Sequence, residues 1–167
     1  MISKFKNKKG NVVLDVMMVL IVIFVFALIS IFGGYIFENL NDEVQADEDF
    51  NTLTKTTMSG VQSSYNASFD GVIVFGLILL WIMAIVASFM IDSHPAFFII
   101  SLILLVFVLI AAGVLSNVYE DLSADPELEG TFASFSMTTF IMTHLVEFLV
   151  VVIVTVSISL YAKSRFS

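Results

Sequence analysis

Four long apolar runs fill most of this 167-residue chain: Val12–Phe37, Gly71–Ile91, Ala96–Val118 and Thr138–Ala162. An α-helix needs about 20 apolar residues to cross the ~30 Å hydrocarbon core of a bilayer, because each residue advances it by only ~1.5 Å. Every run reaches that length. Hydrophobic residues make up 59% of the chain and charged residues 13%, an excess that so short a chain could not cover as a soluble core. The expectation is an all-α, four-span transmembrane bundle, one domain over residues 1–167, with acidic loops at 38–70 and 119–137.

The placement of charge gives an orientation. There are seven Lys and Arg residues. Lys4, Lys6, Lys8 and Lys9 precede the first run, Lys163 and Arg165 follow the fourth, and only Lys55 lies elsewhere. The positive-inside bias therefore predicts both termini on the cytoplasmic side. The opposite loops are acidic, with Glu38, Asp42, Glu43, Asp47, Glu48, Asp49 and Asp70 in the first and Glu120, Asp121, Asp125, Glu127 and Glu129 in the second. The first run exceeds the ~7–15 residues of a signal-peptide core, so a retained helix is expected.

Asp92, Ser93, His94 and Pro95 form a short hairpin turn on the basic side, with Pro95 suited to the first turn of the third helix. Leu40, Val44, Phe50, Leu53, Thr57 and Val61 recur at near-helical spacing. They predict an amphipathic extension of the first helix and a second surface piece. A break is expected at Ser59-Gly60, and a polar turn over 63–70. Asp125-Pro126-Glu127 reads as the start of a short interfacial helix.

Ionisable groups within apolar spans prompt a functional reading. His144 and Glu147 lie three apart in the fourth run, on one helical face and close to mid-bilayer if that helix is continuous. They are either a proton or cation relay or, more commonly for such pairs, a polar clamp between helices. One His and one Glu fall short of a metal-ligand set, so no metal and no cofactor are expected. No nucleophile–base pair or carboxylate cluster marks a catalytic residue, and no basic face marks nucleic-acid binding. Asp15 near the start of the first helix is favoured by the helix dipole, with Lys8 and Lys9 close by. Ser30 and Gly34, Ala84 and Ser88, and Ala112 and Ser116 form small-xxx-small pairs that let helices approach closely, within one bundle or between copies of it. Tyr35, Tyr119 and Tyr161 suit an interfacial aromatic belt, whereas Trp81 falls mid-span as a packing residue. Asn66-Ala67-Ser68 matches a glycosylation acceptor, a three-residue pattern common by chance.

Lys8-Lys9-Gly10-Asn11 followed by Asp15 resembles a type IV prepilin signal. Asp stands where that family carries Glu, and pilins have one apolar helix rather than four. Ser93-His94-Pro95-Ala96-Phe97-Phe98, Ser116-Asn117-Val118-Tyr119 and the stretch from Gly10 to Asp15 together resemble small integral membrane proteins of tailless, membrane-containing microbial viruses. That resemblance implies a non-enzymatic structural role in an internal virion bilayer, with a homo-oligomer or other membrane and capsid proteins as partners. A holin-like or proton/cation channel built on His144 and Glu147 is the competing expectation.

Overall fold

The computed structural model describes residues 12–90 and 95–166. Lys4, Lys6, Lys8, Lys9, Asp92 and His94 lie outside the described residues, as do the side chains of Asp15, Pro95, Lys163 and Arg165. Among the described residues six helices follow one another: α1 (Val12–Ala46), α2 (Thr52–Met90), α3 (Pro95–Ser123), α4 (Glu129–Ser134), α5 (Ser136–Thr143) and α6 (Leu145–Phe166). Three of them, α1, α2 and α3, are long and apolar enough to cross a membrane. The bent pair α5–α6 makes a fourth if it is counted as one span. Such a set is consistent with an integral membrane protein.

The first loop differs most from its expectation. Residues 38–70 are helical except for a turn at 47–51. Two side chains build that turn: Asp47 Oδ1 accepts from the Asp49 N–H (2.9 Å), and Asn51 Oδ1 accepts from the Thr54 N–H (2.8 Å) at the start of α2. Ser59-Gly60 does not break the helix. Gly60 has open space around it, and one glycine costs a helix only about 1 kcal/mol, too little to end one that packs along its length. The 39 residues of α2 extend about 58 Å at ~1.5 Å each, nearly twice the ~30 Å hydrocarbon thickness.

The outer parts of α1 and α2 form a hairpin joined by polar groups. Gln45 Nε2 donates to the Lys55 carbonyl (2.9 Å), Ser59 Oγ (3.1 Å) and Asn41 Oδ1 (3.3 Å). Lys55 Nζ donates to the Gln45 carbonyl (2.8 Å) in the last turn of α1, where a cation complements the helix dipole. Most of the apolar stripe faces outward: Leu53 is 75% exposed, Leu40, Phe50 and Val61 each exceed 40%, and Val44 is half-buried. Gln45→Ala should remove about 1 kcal/mol from the hairpin. That amounts to roughly fivefold faster cleavage at Glu48 by a Glu-specific protease, since exposed turns are cut through local opening.

Closer to the bundle centre the packing is tight. Ala27, Ile31, Ala112, Tyr119 and Phe135 are fully buried, surrounded by Leu20, Phe24, Ile73, Leu77, Val108, Phe132, Met142 and Leu145. Ser30, Gly34, Ala112, Ser116 and Ser88 are buried and Ala84 is half-buried. α1 packs along α2 and against α3, while α6 packs against α2 and α3. Trp81 on α2 donates Nε1–H to Thr155 Oγ1 on α6 (2.9 Å) and sets its ring edge-on to Phe148, with centroids 6.1 Å apart. Trp81→Phe keeps the ring and removes the bond. It should lower stability by about 0.6–1.7 kcal/mol, the range for interhelical bonds in lipid, measured by unfolding in mixed micelles.

The second loop also departs from expectation. Asp125 does not start a helix: its Oδ1 accepts from the Glu127 N–H (2.9 Å) and its carbonyl from Leu128 (3.0 Å) and Glu129 (2.9 Å). That closes a turn, and α4 begins four residues later, at Glu129. Tyr119 is no interfacial anchor, because it is fully buried.

Candidate functional site

The apolar run 138–162 carries no Pro or Gly, yet its helix is interrupted at His144, and the two parts are bent by 74°. A second interruption at Phe135 separates α4 from α5. Broken backbone at membrane depth is tolerated only where protein supplies the missing hydrogen bonds. Here side chains from α2 and α3 meet that need, and one from α1 joins the same layer.

Asp70 on α2 is the central one. It is only 8% exposed, and its carboxyl oxygens accept from the backbone N–H of Thr138 (2.7 Å) and Met137 (3.2 Å). These are the second and third residues of α5, whose first N–H groups have no partner within the helix. The residue at the capping position is Phe135, which has no side-chain acceptor. Asp70 supplies from another helix what Ser, Asp or Asn would supply locally.

α3 serves the other end. Ser116 Oγ donates to the Thr143 carbonyl (2.8 Å), which the break at His144 leaves without a helical partner. Tyr119 Oη pairs with Thr139 Oγ1 (3.2 Å), and Thr139 Oγ1 donates in turn to the Phe132 carbonyl (3.0 Å) at the end of α4. On α1, Glu38 accepts a short hydrogen bond from the Thr131 hydroxyl of α4. Tyr65 on α2 donates to the Ser30 carbonyl of α1 (3.1 Å). The same layer holds two buried polar atoms without a partner, Asn66 Oδ1 and Thr138 Oγ1.

Close approach of α1 makes this layer possible. A Cβ on Gly34 would lie 2.6 Å from Phe135 Cε2 and 3.1 Å from Asn66 Oδ1, and one on Gly33 would overlap the Tyr65 hydroxyl. Tyr65 and Phe135 meet edge-on, with ring centroids 6.5 Å apart. The two adjacent glycines therefore admit one aromatic ring each.

His144 and Glu147 stand on either side of the break, so no single helical face carries both. Both are exposed. His144 stacks on Phe140, centroids 4.7 Å apart. Its Nδ1 contacts the Phe140 carbonyl (2.9 Å) and Thr143 Oγ1 (3.0 Å); a carbonyl only accepts, so Nδ1 carries a proton in that contact. Glu147 occupies the first turn of α6, where the helix dipole favours an acid. Among the described residues no group of three His, Asp or Glu side chains is placed to hold a metal ion.

Asp70, Glu38, Tyr65 and Asn66 were not singled out by the sequence as site residues. The available signal was their position: Asn66 and Asp70 are four apart, on one helical face, directly before an apolar run. Comparison with known proteins yields no family model, curated protein or solved structure that matches the chain.

Proposed function

We propose that this is a non-enzymatic multi-pass membrane protein that presents a stiff helical hairpin to a protein partner outside the bilayer. The observation that carries this reading is the projecting part of α1 and α2. It is braced by polar contacts at Asn41, Gln45, Lys55 and Ser59, and it exposes Leu40, Phe50, Leu53 and Val61 beside Asp42, Glu43, Asp47, Glu48 and Asp49. An apolar stripe left unpaired on a charged, rigid support suits a binding surface. The charge bias of the termini supports placing them on the cytoplasmic side and the hairpin opposite. The internal bilayer of a virion, with capsid or membrane proteins or further copies of this chain as partners, is the setting that the sequence resemblance favours.

A photo-crosslinking residue at position 53, compared with one at the lipid-facing position 103, tests the docking surface. The expected result is a discrete protein adduct from position 53 alone, in particles that carry lipid and capsid on a density gradient. No adduct from position 53 would sink the docking role; a chain confined to the cell membrane would sink the virion setting. The channel reading has less support, because His144 and Glu147 are exposed on the outside of the bundle rather than lining its interior. Liposome ion flux that falls with Glu147→Gln while the fold is kept would restore it.

A further inference from the structure

We propose that α5 is an interfacial helix, bound to the boundary between lipid headgroups and acyl chains, and that the fourth span begins only at Leu145. This rests on the membrane reading above, but on none of its partners.

Three observations lead there. First, α6 has the length of a span without α5: its 22 residues reach about 33 Å at ~1.5 Å each, against the ~30 Å hydrocarbon core, and its uncharged stretch 148–162 lies between Glu147 and Lys163. Second, the 74° bend at His144 fixes the direction of α5. Spanning helices tilt by about 20° on average, so a helix turned that far from α6 runs close to the membrane plane. Third, its outer face matches that position. Thr138 and Met142 are buried against the bundle, while Met137 (59%) and Phe140 (64%) are exposed. Beyond the bend the exposed surface continues through Val150, Val151, Val154 and Ile158 of α6, which is lipid-facing if α6 spans. Met137 and Phe140 are thus separated from that surface only by the bend, where His144 and Glu147 are the exposed residues. A helix with one apolar face in the interface plane is a recognised mode of membrane attachment.

The consequence reaches the two ionisable residues of the fourth run. His144 stands at the corner and Glu147 less than one turn beyond it, so both lie at headgroup level. Glu147 then has water and headgroups for partners and needs none within the bilayer.

The chain contains no cysteine, so a single introduced one reports without background. Phe140→Cys, Met137→Cys and Val154→Cys, each carrying a bimane label in phosphatidylcholine vesicles, would be compared by quenching with shallow and deep nitroxide lipids. The labels at 140 and 137 are expected about 15 Å from the bilayer centre, and the label at 154 within about 5 Å of it. The label at 154 also reports insertion of α6, and either of the others suffices if one variant fails to insert. Labels at 137 or 140 as deep as the one at 154 would overturn the proposal by placing α5 inside the hydrocarbon. Labels there that no lipid quencher reaches, with 154 still deep, would overturn it by showing that protein covers this face. Depth is read without any partner, so failure here is separate from failure of the docking role.

Discussion

Replacing Gly34 with valine should destabilise the bundle by about 2–3 kcal/mol, the upper part of the range for overpacking a filled interior. α1 passes Phe135 so closely at Gly34 that a single Cβ would lie 2.6 Å from Cε2 and 3.1 Å from Cζ of that ring. The ring cannot swing away, because Phe135 is fully buried and Tyr65 stands edge-on to it. Asn66 blocks the other direction. α1 must therefore move off α2 and off the Phe135 junction between α4 and α5, loosening Tyr65 from the Ser30 carbonyl as it goes. Gly60→Ala is the matched control: nothing lies within 4 Å of that site, so alanine should stabilise α2 by about 0.8–1 kcal/mol through helix propensity alone. Unfolding midpoints in mixed micelles should thus move in opposite directions. A Gly34→Val protein as stable as the parent would mean that α1 does not approach Phe135 this closely.

The same pair of glycines illustrates what the sequence could and could not tell. Ser30 and Gly34 were visible as a close-approach motif, because small residues four apart carry that meaning wherever helices pack. Gly60 looked like a break for an equally local reason, and the helix runs through it. Propensity is a weak prior: the outer part of α2 is held by Gln45 and Asn41, contacts 10 and 18 residues back along the chain. The real turn had its own signal in Asn51, whose side chain caps α2 at Thr54. The apolar stripe of this segment was legible as helical spacing, but periodicity does not say which face is covered. Polar Asn41 and Lys55 share the half-covered face here with Val44 and Met58.

The break at His144 was illegible for a deeper reason. Nothing within residues 138–162 demands it; the run is apolar and free of Pro and Gly. What stabilises it is non-local, with Ser116 from α3 on the freed carbonyl and Asp70 from α2 on the N-terminus of α5. Spacing within one helix puts Glu147 near mid-bilayer only if the helix from Thr138 is unbroken, and that premise fails at His144. Asp70 itself was counted among the loop acids because it borders an apolar run, and sequence position alone does not separate a solvated loop carboxyl from a buried cap.

Asp70 is accordingly where the second large effect is expected. Asp70→Ala leaves the buried N–H of Thr138 and the part-buried N–H of Met137 without acceptors. An unsatisfied buried group costs about 1–3 kcal/mol, so a total loss near 3 kcal/mol is the expected result. Asp70→Asn keeps one acceptor oxygen but turns an amide N–H₂ toward a backbone donor, and should lose roughly half as much. The pattern of damage should differ from that of Gly34→Val. Without Asp70 the α1–α2 contacts through Tyr65, Gln45 and Ser59 remain, and only the start of α5 is released. Hydrogen exchange at Met137 and Thr138 should then accelerate by about 10²-fold, as ~3 kcal/mol of lost protection implies, while the amides of α1 around Ser30 stay slow. Gly34→Val should accelerate both regions. If Asp70→Ala leaves the amides at 137 and 138 as slow as in the parent, α5 is capped by some other group, and Asp70 is not what holds the broken helix in place.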